Sequence, residues 1–358
     1  MLKLLFVVRT FGPSGGMERY VFETARGMAS RGHDVSVLCR TVDAEAAAQT
    51  KVKTVMLQPK PAKRGWQDRE NFAKAVSGFL GKNSKAASFD VIHSHENTLN
   101  QDVSTEHGPC TLSGLRRAPW KVFDYSALRN LILERLKFNS KSLSALVSCS
   151  VQVEKTVLNA YPHLRAKMHI VIPPAFSYLA SADVKESGGF TLGFIGTDWK
   201  RKGLPKVIEI FKTLRRRDSR WTLAIAGVER SKLPKGLLDG LPEGVAFAGR
   251  VDPKKFFAGV DLLAHPARDE PFGMVITEAL SSGVPSVISD RCGCSAHLRA
   301  EALKIVGYDK STDNWVDACL EMHGKQPRLI SQRAWADVVV DHEHLYEQVL
   351  SACRTRVL

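Results

Sequence analysis

The stretch His265-Pro-Ala-Arg-Asp-Glu270-Pro-Phe-Gly273-Met-Val-Ile-Thr-Glu278-Ala-Leu-Ser-Ser-Gly-Val-Pro285 decides how this chain is read. The apolar run Asp261–His265 leads into it as a strand, and Pro271-Phe-Gly273 opens a helix that runs from Met274 to about Ser282. Glu270 precedes that helix and Glu278 lies two turns into it. A carboxylate at each place can accept hydrogen bonds from vicinal hydroxyls of two different sugars. The first amides of the helix, those of Gly273, Met274 and Val275, have no intrahelical acceptor and form a positive-ended nest for a phosphate. Spacing alone leaves the plainer alternative open, in which both glutamates are solvated helix surface.

Strands and helices alternate on both sides of this stretch. Phe190–Gly196 reads as a strand into a turn and Leu204–Leu214 as a helix; Trp221–Gly227, Val245–Gly249 and Pro285–Ser289 read as further strands. The first half carries the same pattern. Lys3–Val8 is an apolar strand and Gly12-Pro-Ser-Gly15-Gly16 a turn. Tyr20, Val21, Thr24, Ala25 and Met28 recur at helical spacing, and strands follow at Val35–Cys39, Asp90–Ser94 and Ala145–Cys149. Such alternation predicts an α/β protein of two parallel-sheet domains in tandem, with a cleft expected between the carboxyl ends of their strands. The expected limits are 1–175 for the first domain, 176–189 for a Pro-, Ser- and Gly-containing linker and 190–335 for the second domain. A terminal helix, 336–358, should pack back on the first domain. Its apolar face would be Val338, Val339, His342, Leu345, Tyr346, Val349, Leu350 and Cys353.

Composition narrows the class. With 358 residues, 44% hydrophobic and 25% charged, the chain is ordinary globular material of about two domains. Its apolar runs fall short of the ~18–20 residues that cross a bilayer, and Arg9 truncates the first of them, so a cytoplasmic location without a leader is expected. Seven scattered cysteines read as reduced thiols, and the pair Cys292-Gly-Cys294 lacks the second pair that a zinc site needs. The net charge of +14 is concentrated early: residues 1–180 hold 25 Lys+Arg against 14 Asp+Glu. A basic half points either to a polyanionic partner or to a solvated basic surface.

Five motifs, in order, resemble glycosyltransferase family four. They are Glu270 with Glu278 and the following Ala-Leu-Ser-Ser-Gly-Val-Pro; Gly15-Gly16-Met-Glu18-Arg with Arg31-Gly32-His33; Ser104-Thr-Glu-His107-Gly; Gly196-Thr-Asp-Trp-Lys-Arg201-Lys202-Gly203; and Phe247-Ala-Gly249-Arg250-Val. The style is that of the bacterial lipopolysaccharide core enzymes. The resemblance implies the GT-B fold, two Rossmann-like domains, and retaining transfer from a nucleotide sugar. By the same resemblance Arg201 and Lys202 would neutralise the leaving diphosphate, aided by the amides of Gly15 and Gly16 and of Gly273, Met274 and Val275. Glu278 would bind the ribose, Arg250 would lie in the stretch that holds the base, Glu270 would hold the donor sugar, and His107 would face that sugar from the first domain. Thr197 stands where many members carry an arginine, and Arg201 beside Lys202 replaces it. No Asp-x-Asp pair is present, so no metal and no cofactor beyond the sugar nucleotide is expected.

The implied reaction moves a hexose, from a UDP-linked donor by similarity, to a lipid-linked or phosphorylated saccharide acceptor such as lipopolysaccharide core. Mannosyl or N-acetylhexosaminyl transfer and a catalytically silent binding protein are the alternatives. The segment with Arg116, Arg117, Trp120 and Lys121 mixes charge and aromatics as a peripheral anionic membrane surface would require, although an amphipathic segment packed on its own domain has the same pattern. No nucleic-acid module or basic groove with stacking aromatics is found, so nucleic acid is not expected as a partner.

Overall fold

The computed structural model describes residues 1–81, 88–176, 190–327 and 332–355. It divides into two compact units, Met1–Pro174 with Ala334–Leu358, and Ala175–Arg333. The expected division therefore needs a small correction. Phe176 pairs antiparallel with Arg333 inside the second unit, so the change of unit comes at Pro174 and Ala175, and the return at Arg333 and Ala334. The rest of the expected linker, 177–189, lies outside the described residues.

The first unit runs β1 (Lys3–Val7), β2 (Thr10–Phe11), α1 (Gly16–Ser30), β3 (Asp34–Cys39), β4 (Thr41–Val42), α2 (Ala44–Ala48), β5 (Lys53–Met56) and α3 (Gly65–Gly81). It continues with β6 (Val91–Ser94), β7 (Val103–Glu106), α4 (Thr111–Arg117), α5 (Tyr125–Phe138), β8 (Ala145–Ser148), α6 (Val151–Ala160) and β9 (Met168–Val171). Its main sheet is ordered β5-β3-β1-β6-β7-β8-β9, and every pairing is parallel. The central strands read as unbroken apolar runs because helices cover both faces: Leu4 to Val7 and Ala145 to Ser148 are buried throughout.

The second unit contains β10 (Phe190–Ile195), α7 (Leu204–Arg217), β11 (Trp221–Ala226), α8 (Lys235–Leu238), β12 (Val245–Gly249) and α9 (Pro253–Phe257). Then follow β13 (Leu262–His265), α10 (Met274–Ser281), β14 (Ser286–Ser289), β15 (Leu303–Val306) and α11 (Thr312–Met322). Its parallel sheet has the order β12-β11-β10-β13-β14-β15. Chain order reverses across β10 in this sheet and across β1 in the other. Loops at the carboxyl ends of β10 and β13, and of β1 and β6, therefore open away from one another at a switch point, where open sheets of this kind bind ligands.

The last helix, α12 (Trp335–Thr355), completes the first unit. Val338, Val339, His342, Leu345, Tyr346 and Val349 are buried on one face, against α1. The seam closes because α1 offers Gly27: a Cβ there would lie 2.3 Å from Val339 Cγ2. Glu343 adds a fork at the far end, 2.7 Å from Arg31 Nη2 and 2.8 Å from His33 Nε2. Replacing Gly27 with Leu forces the stiff, buried Val339 aside. It should cost about 1–3 kcal/mol, read as a fall of roughly 2–10 °C in Tm by calorimetry, despite the better helix propensity of Leu.

Candidate active site

In the second unit the loops after β10 and β13 are stitched together by backbone. Arg268 N–H donates to the Arg201 carbonyl at 2.8 Å, and Lys202 N–H to that of Asp198 at 2.9 Å. Gly203, at φ +87°, turns the first loop into α7, and a Cβ on it would meet the Pro266 carbonyl at 2.2 Å. Gly196 has a matching role, since its missing Cβ leaves room for Lys202 Cδ, which would otherwise sit 2.2 Å away. Thus two glycines let the lysine stem lie across the end of β10.

The ammonium so placed is 3.4 Å from Glu270 Oε2, with Arg201 Nη1 at 3.5 Å and His265 Nε2 at 3.3 Å from the same oxygen. Glu270 itself is fixed by main chain. It forms a parallel bridge with Cys292, donating to the Arg291 carbonyl at 3.1 Å and accepting from Gly293 N–H at 2.8 Å. Pro271 behind it favours this extended conformation. Burial by itself would raise the Glu270 pKa. The hydrogen bond from His265 and the charges of Lys202 and Arg201 outweigh burial and hold the carboxyl down at about 2. His265 is fully buried, and burial lowers its pKa, so a neutral ring donates Nε2–H to the carboxylate. Its Nδ1 has no hydrogen-bond partner among the described residues.

Arg201 and Lys202 are not equivalent. Arg201 also grips Asp198 Oδ2 at 3.0 Å and the Asp269 carbonyl, so its guanidinium is largely engaged in bracing the two loops. Among the described residues Lys202 has Glu270 as its one ion-pair partner. Gly273, at φ +97°, caps α10, and a Cβ there would press on Ile276 Cδ1 and Glu270 Cγ at 2.7 and 3.2 Å. The amides of Gly273, Met274 and Val275 have no backbone acceptor among the described residues, as expected of a helix start. Glu278 is half-buried one turn and more along α10, while Thr197 and Arg250 are exposed.

Other expected site residues belong to the first unit. Gly15 is the N-cap of α1 at φ +102°, but the carboxylate of Glu18 folds back over it, 2.4 Å from where a Cβ would stand. The start of α1 thus already faces an anion of its own. His107, just past β7, pairs through Nε2 with His95 Nδ1 at 2.8 Å, and its ring meets the edge of Tyr20 with centroids 5.1 Å apart. His93 lies beside His95 and bonds Tyr346 Oη and Thr105 Oγ1, each at 2.7 Å. His95 Nε2 is buried without a partner among the described residues. Below this cluster Glu106 makes a buried ion pair of 2.7 Å with Lys137. The sequence reading missed His265 and His95. The signal for the second was available, since His95 lies one residue past β6 at a spacing of two from His93, and the two rings lie 4.3 Å apart. A histidine closing an apolar strand gives no comparable sign.

Arg116, Arg117, Trp120 and Lys121 are all exposed on α4 and the 3-10 turn Pro119–Phe123, with Trp120 at 69% and Phe123 at 90%. No helix among the described residues is long and apolar enough to span a membrane, and no His, Cys, Asp and Glu cluster among them could hold a metal ion. Six of the cysteines are buried free thiols.

Two parallel-sheet units, each with its chain order reversing at a switch point, and a cation-carboxylate cluster leading into a helix start agree with the GT-B fold that the motifs imply. Comparison with known sequences agrees. The model for Glycosyltransferase Family 4 matches residues 14–175 and that for Glycosyl transferases group 1 matches 189–324, so the chain belongs to glycosyltransferase family four. The lipopolysaccharide glucosyltransferase WaaG of Escherichia coli K12 is 25% identical over 327 residues, 83% of this chain and 82% of its own. A D-inositol 3-phosphate glycosyltransferase of Nocardia farcinica is 24% identical over 361 residues, 89% of this chain and 79% of its own. The crystal structure of WaaG has a TM-score of 0.71 at 19% identity, covering 98% of this chain and 99% of that one. HepE from Anabaena, solved with UDP and glucose, has a TM-score of 0.62 at 18% identity, covering 100% and 98%. At such identities the structural likeness establishes the fold.

Two windows of acid sensitivity follow from the buried groups. Burial lowers the pKa of His93 and His95 well below 6.5 and that of His107 to about 3, so folding excludes protons that the unfolded chain binds. Their neutral-state contribution is complete above pH 6.5 and is lost as pH falls from there toward 3, by up to about 1.4 kcal/mol per pH unit for each ring. Glu270 adds a contribution that is complete above 4.5 and lost as pH falls toward 2. Urea midpoints should therefore be level from pH 6.5 to about 8 and decline below that range. His95→Asn should flatten the decline between pH 6.5 and 4.5; an unchanged slope would show that these rings do not set it.

Proposed function

We propose that the chain is a retaining hexosyltransferase that uses a UDP-linked sugar as donor and a lipid-linked saccharide, such as lipopolysaccharide core, as acceptor. One observation carries this reading: the Lys202 ammonium, on the loop after β10, is 3.4 Å from the buried Glu270, its one ion-pair partner among the described residues, and Glu270 leads directly into the start of α10. Breaking the bond between the anomeric carbon and the β-phosphate leaves two phosphates that need cations and oriented N–H dipoles. Lys202 supplies the mobile charge, Arg201 the braced one, and the α10 start the dipoles. Glu270 holds hydroxyls of the donor sugar, and its low pKa keeps it an acceptor-only carboxylate. Glu278 takes the ribose and Arg250 lies along the base. In retaining transfer on one face, the acceptor oxygen bonds the anomeric carbon while its proton passes to the departing phosphate oxygen. No protein nucleophile is assigned. His107 belongs to the acceptor-binding unit, where pairing with His95 fixes its ring. One relative named as a lipopolysaccharide glucosyltransferase and a structure solved with UDP and glucose favour the donor and acceptor classes.

UDP at about 100 times its Kd should add about 2.7 kcal/mol of stability, seen as a raised Tm. Lys202→Ala should lower turnover at least ~10²-fold, the scale of losing one preorganised stabilising group, while leaving the fold intact. Near-normal turnover of the folded variant would remove Lys202 from the mechanism. Turnover should persist in excess EDTA after dialysis; complete loss that manganese alone restores would show that the cations of the chain do not suffice.

The exposed ring and charge set on α4 and the following turn is proposed to meet an anionic membrane surface. Basic residues contribute about 1 kcal/mol each there, screened over a Debye length of roughly 8–10 Å. Replacing Arg116, Arg117 and Lys121 together by Ser should weaken binding to anionic vesicles by about 10²-fold without altering UDP binding. A lower Tm with unchanged vesicle sedimentation would instead make the segment structural.

A further inference from the structure

Two histidines of the first unit are linked through a single shared proton. His95, one residue past β6, and His107, one residue past β7, meet Nδ1 to Nε2 at 2.8 Å. Two ring nitrogens at that distance hold one N–H between them, so one ring donates and the other accepts. Burial lowers the pKa of both rings, so at neutral pH each is uncharged and carries one proton. The place of the shared proton then fixes the other two nitrogens. If His95 donates from Nδ1, its Nε2 is a bare lone pair and His107 carries its proton on Nδ1. If His107 donates from Nε2, the proton of His95 sits on Nε2 and His107 Nδ1 is an acceptor.

The surroundings decide between the two. His95 is buried, stacked on Phe6 with centroids 6.0 Å apart, and its Nε2 has no hydrogen-bond partner among the described residues. The neighbouring His93 has both its nitrogens engaged, with Tyr346 Oη and Thr105 Oγ1. A proton on His95 Nε2 would therefore be a sealed donor with nothing to receive it, and orphaned buried N–H groups are rarer in folded proteins than under-used acceptors. His107 differs: its ring is half-buried, meets the edge of Tyr20, and bonds His95 through Nε2 alone among the described residues. An N–H on His107 Nδ1 is the one of the two that a ligand can still satisfy.

We infer that His95 is the positioning residue of His107: its Nδ1–H donates to His107 Nε2, holds that ring, and fixes the tautomer in which His107 offers Nδ1–H to a hydroxyl oxygen of the donor sugar; this rests on the proposed transferase function. A His107 held in this way gives a hydrogen bond and has no free lone pair with which to take a proton. It is thus excluded as a general base. The proton of the acceptor must then leave by another route, and the departing phosphate oxygen of the proposed transfer supplies one.

NMR of the full chain with nitrogen-15 histidine, its rings assigned through their own backbone, locates the shared proton directly. It should be bonded to His95 Nδ1 and coupled across the hydrogen bond to His107 Nε2, with a second proton on His107 Nδ1. A shared proton bonded to His107 Nε2 would overturn the proposal, and this arm needs no variant. Release of UDP from UDP-glucose supplies the functional arm. His95→Leu, which keeps the bulk and loses the donor, should lower kcat about fivefold or more with KM nearly unchanged, the scale of one neutral hydrogen bond. His95→Asn, whose amide N–H stands near the place of Nδ1, should recover most of that loss. UDP itself carries no hexose and should bind all three alike. Equal kcat in His95→Leu and the wild type, or the same loss in His95→Asn as in His95→Leu, would overturn the positioning role. A wild type that neither binds UDP nor releases it from UDP-glucose would sink the transferase reading instead, and the place of the shared proton is read independently of that result. If His95→Leu does not fold, His95→Met gives the same comparison.

Discussion

The second unit is organised around one buried carboxylate. Glu270 can remain ionised out of water only because an ammonium, a guanidinium and a neutral imidazole converge on one of its oxygens. That requirement fixes two loops at once. Arg201 cannot reach the carboxylate unless its loop is bonded to the Arg268 amide, and Lys202 cannot unless residues 196 and 203 lack side chains. The same cluster makes Lys202 useful. Its charge is balanced at rest by Glu270, so the site costs little to keep folded, and in the proposed function the same ammonium is the cation offered to the leaving diphosphate.

Much of this was legible in the sequence, and the reason is that it is local. Glu270, Gly273 and Glu278 lie on one strand-turn-helix, and Arg201, Lys202 and Gly203 on another, so short-range spacing places them. The strands were legible too where both faces are buried and the apolar run is unbroken, as in β1 and β8. Strand β7 was not read as one, because Ser104, Thr105 and Glu106 are polar and are buried only through partners such as Lys137. Strand β9 failed for the opposite reason: Met168 to Val171 is half-exposed at the sheet edge and short. The arginine pair around Asp68 is invisible by eye, since the parallel pairing of β1 with β3, not spacing, brings residues 9 and 40 together beside it. Glu18 over the start of α1 is a similar case, a local contact that the motif alone does not disclose.

In the first unit, polar groups are buried in numbers that only mutual satisfaction tolerates. His93 is held between Tyr346 and Thr105, Lys137 against Glu106, and Glu134 receives the Tyr161 hydroxyl at 2.8 Å and the Leu112 amide at 3.0 Å. Each bond joins different elements, so the polar network gives the unit its specificity while the apolar strands give it stability.

The discontinuity of that unit has a consequence for how the chain is made. Helix α12 supplies Tyr346 to His93 and the cover for α1, yet it is synthesised after the whole of Ala175–Arg333. While the chain is still emerging from a ribosome, the first unit has its sheet but an uncovered apolar face on α1 and a half-partnered His93. The second unit, continuous in the chain, can finish first. Translation order therefore runs against completion order, and the nascent first unit must stay soluble with its seam open until the last residues arrive.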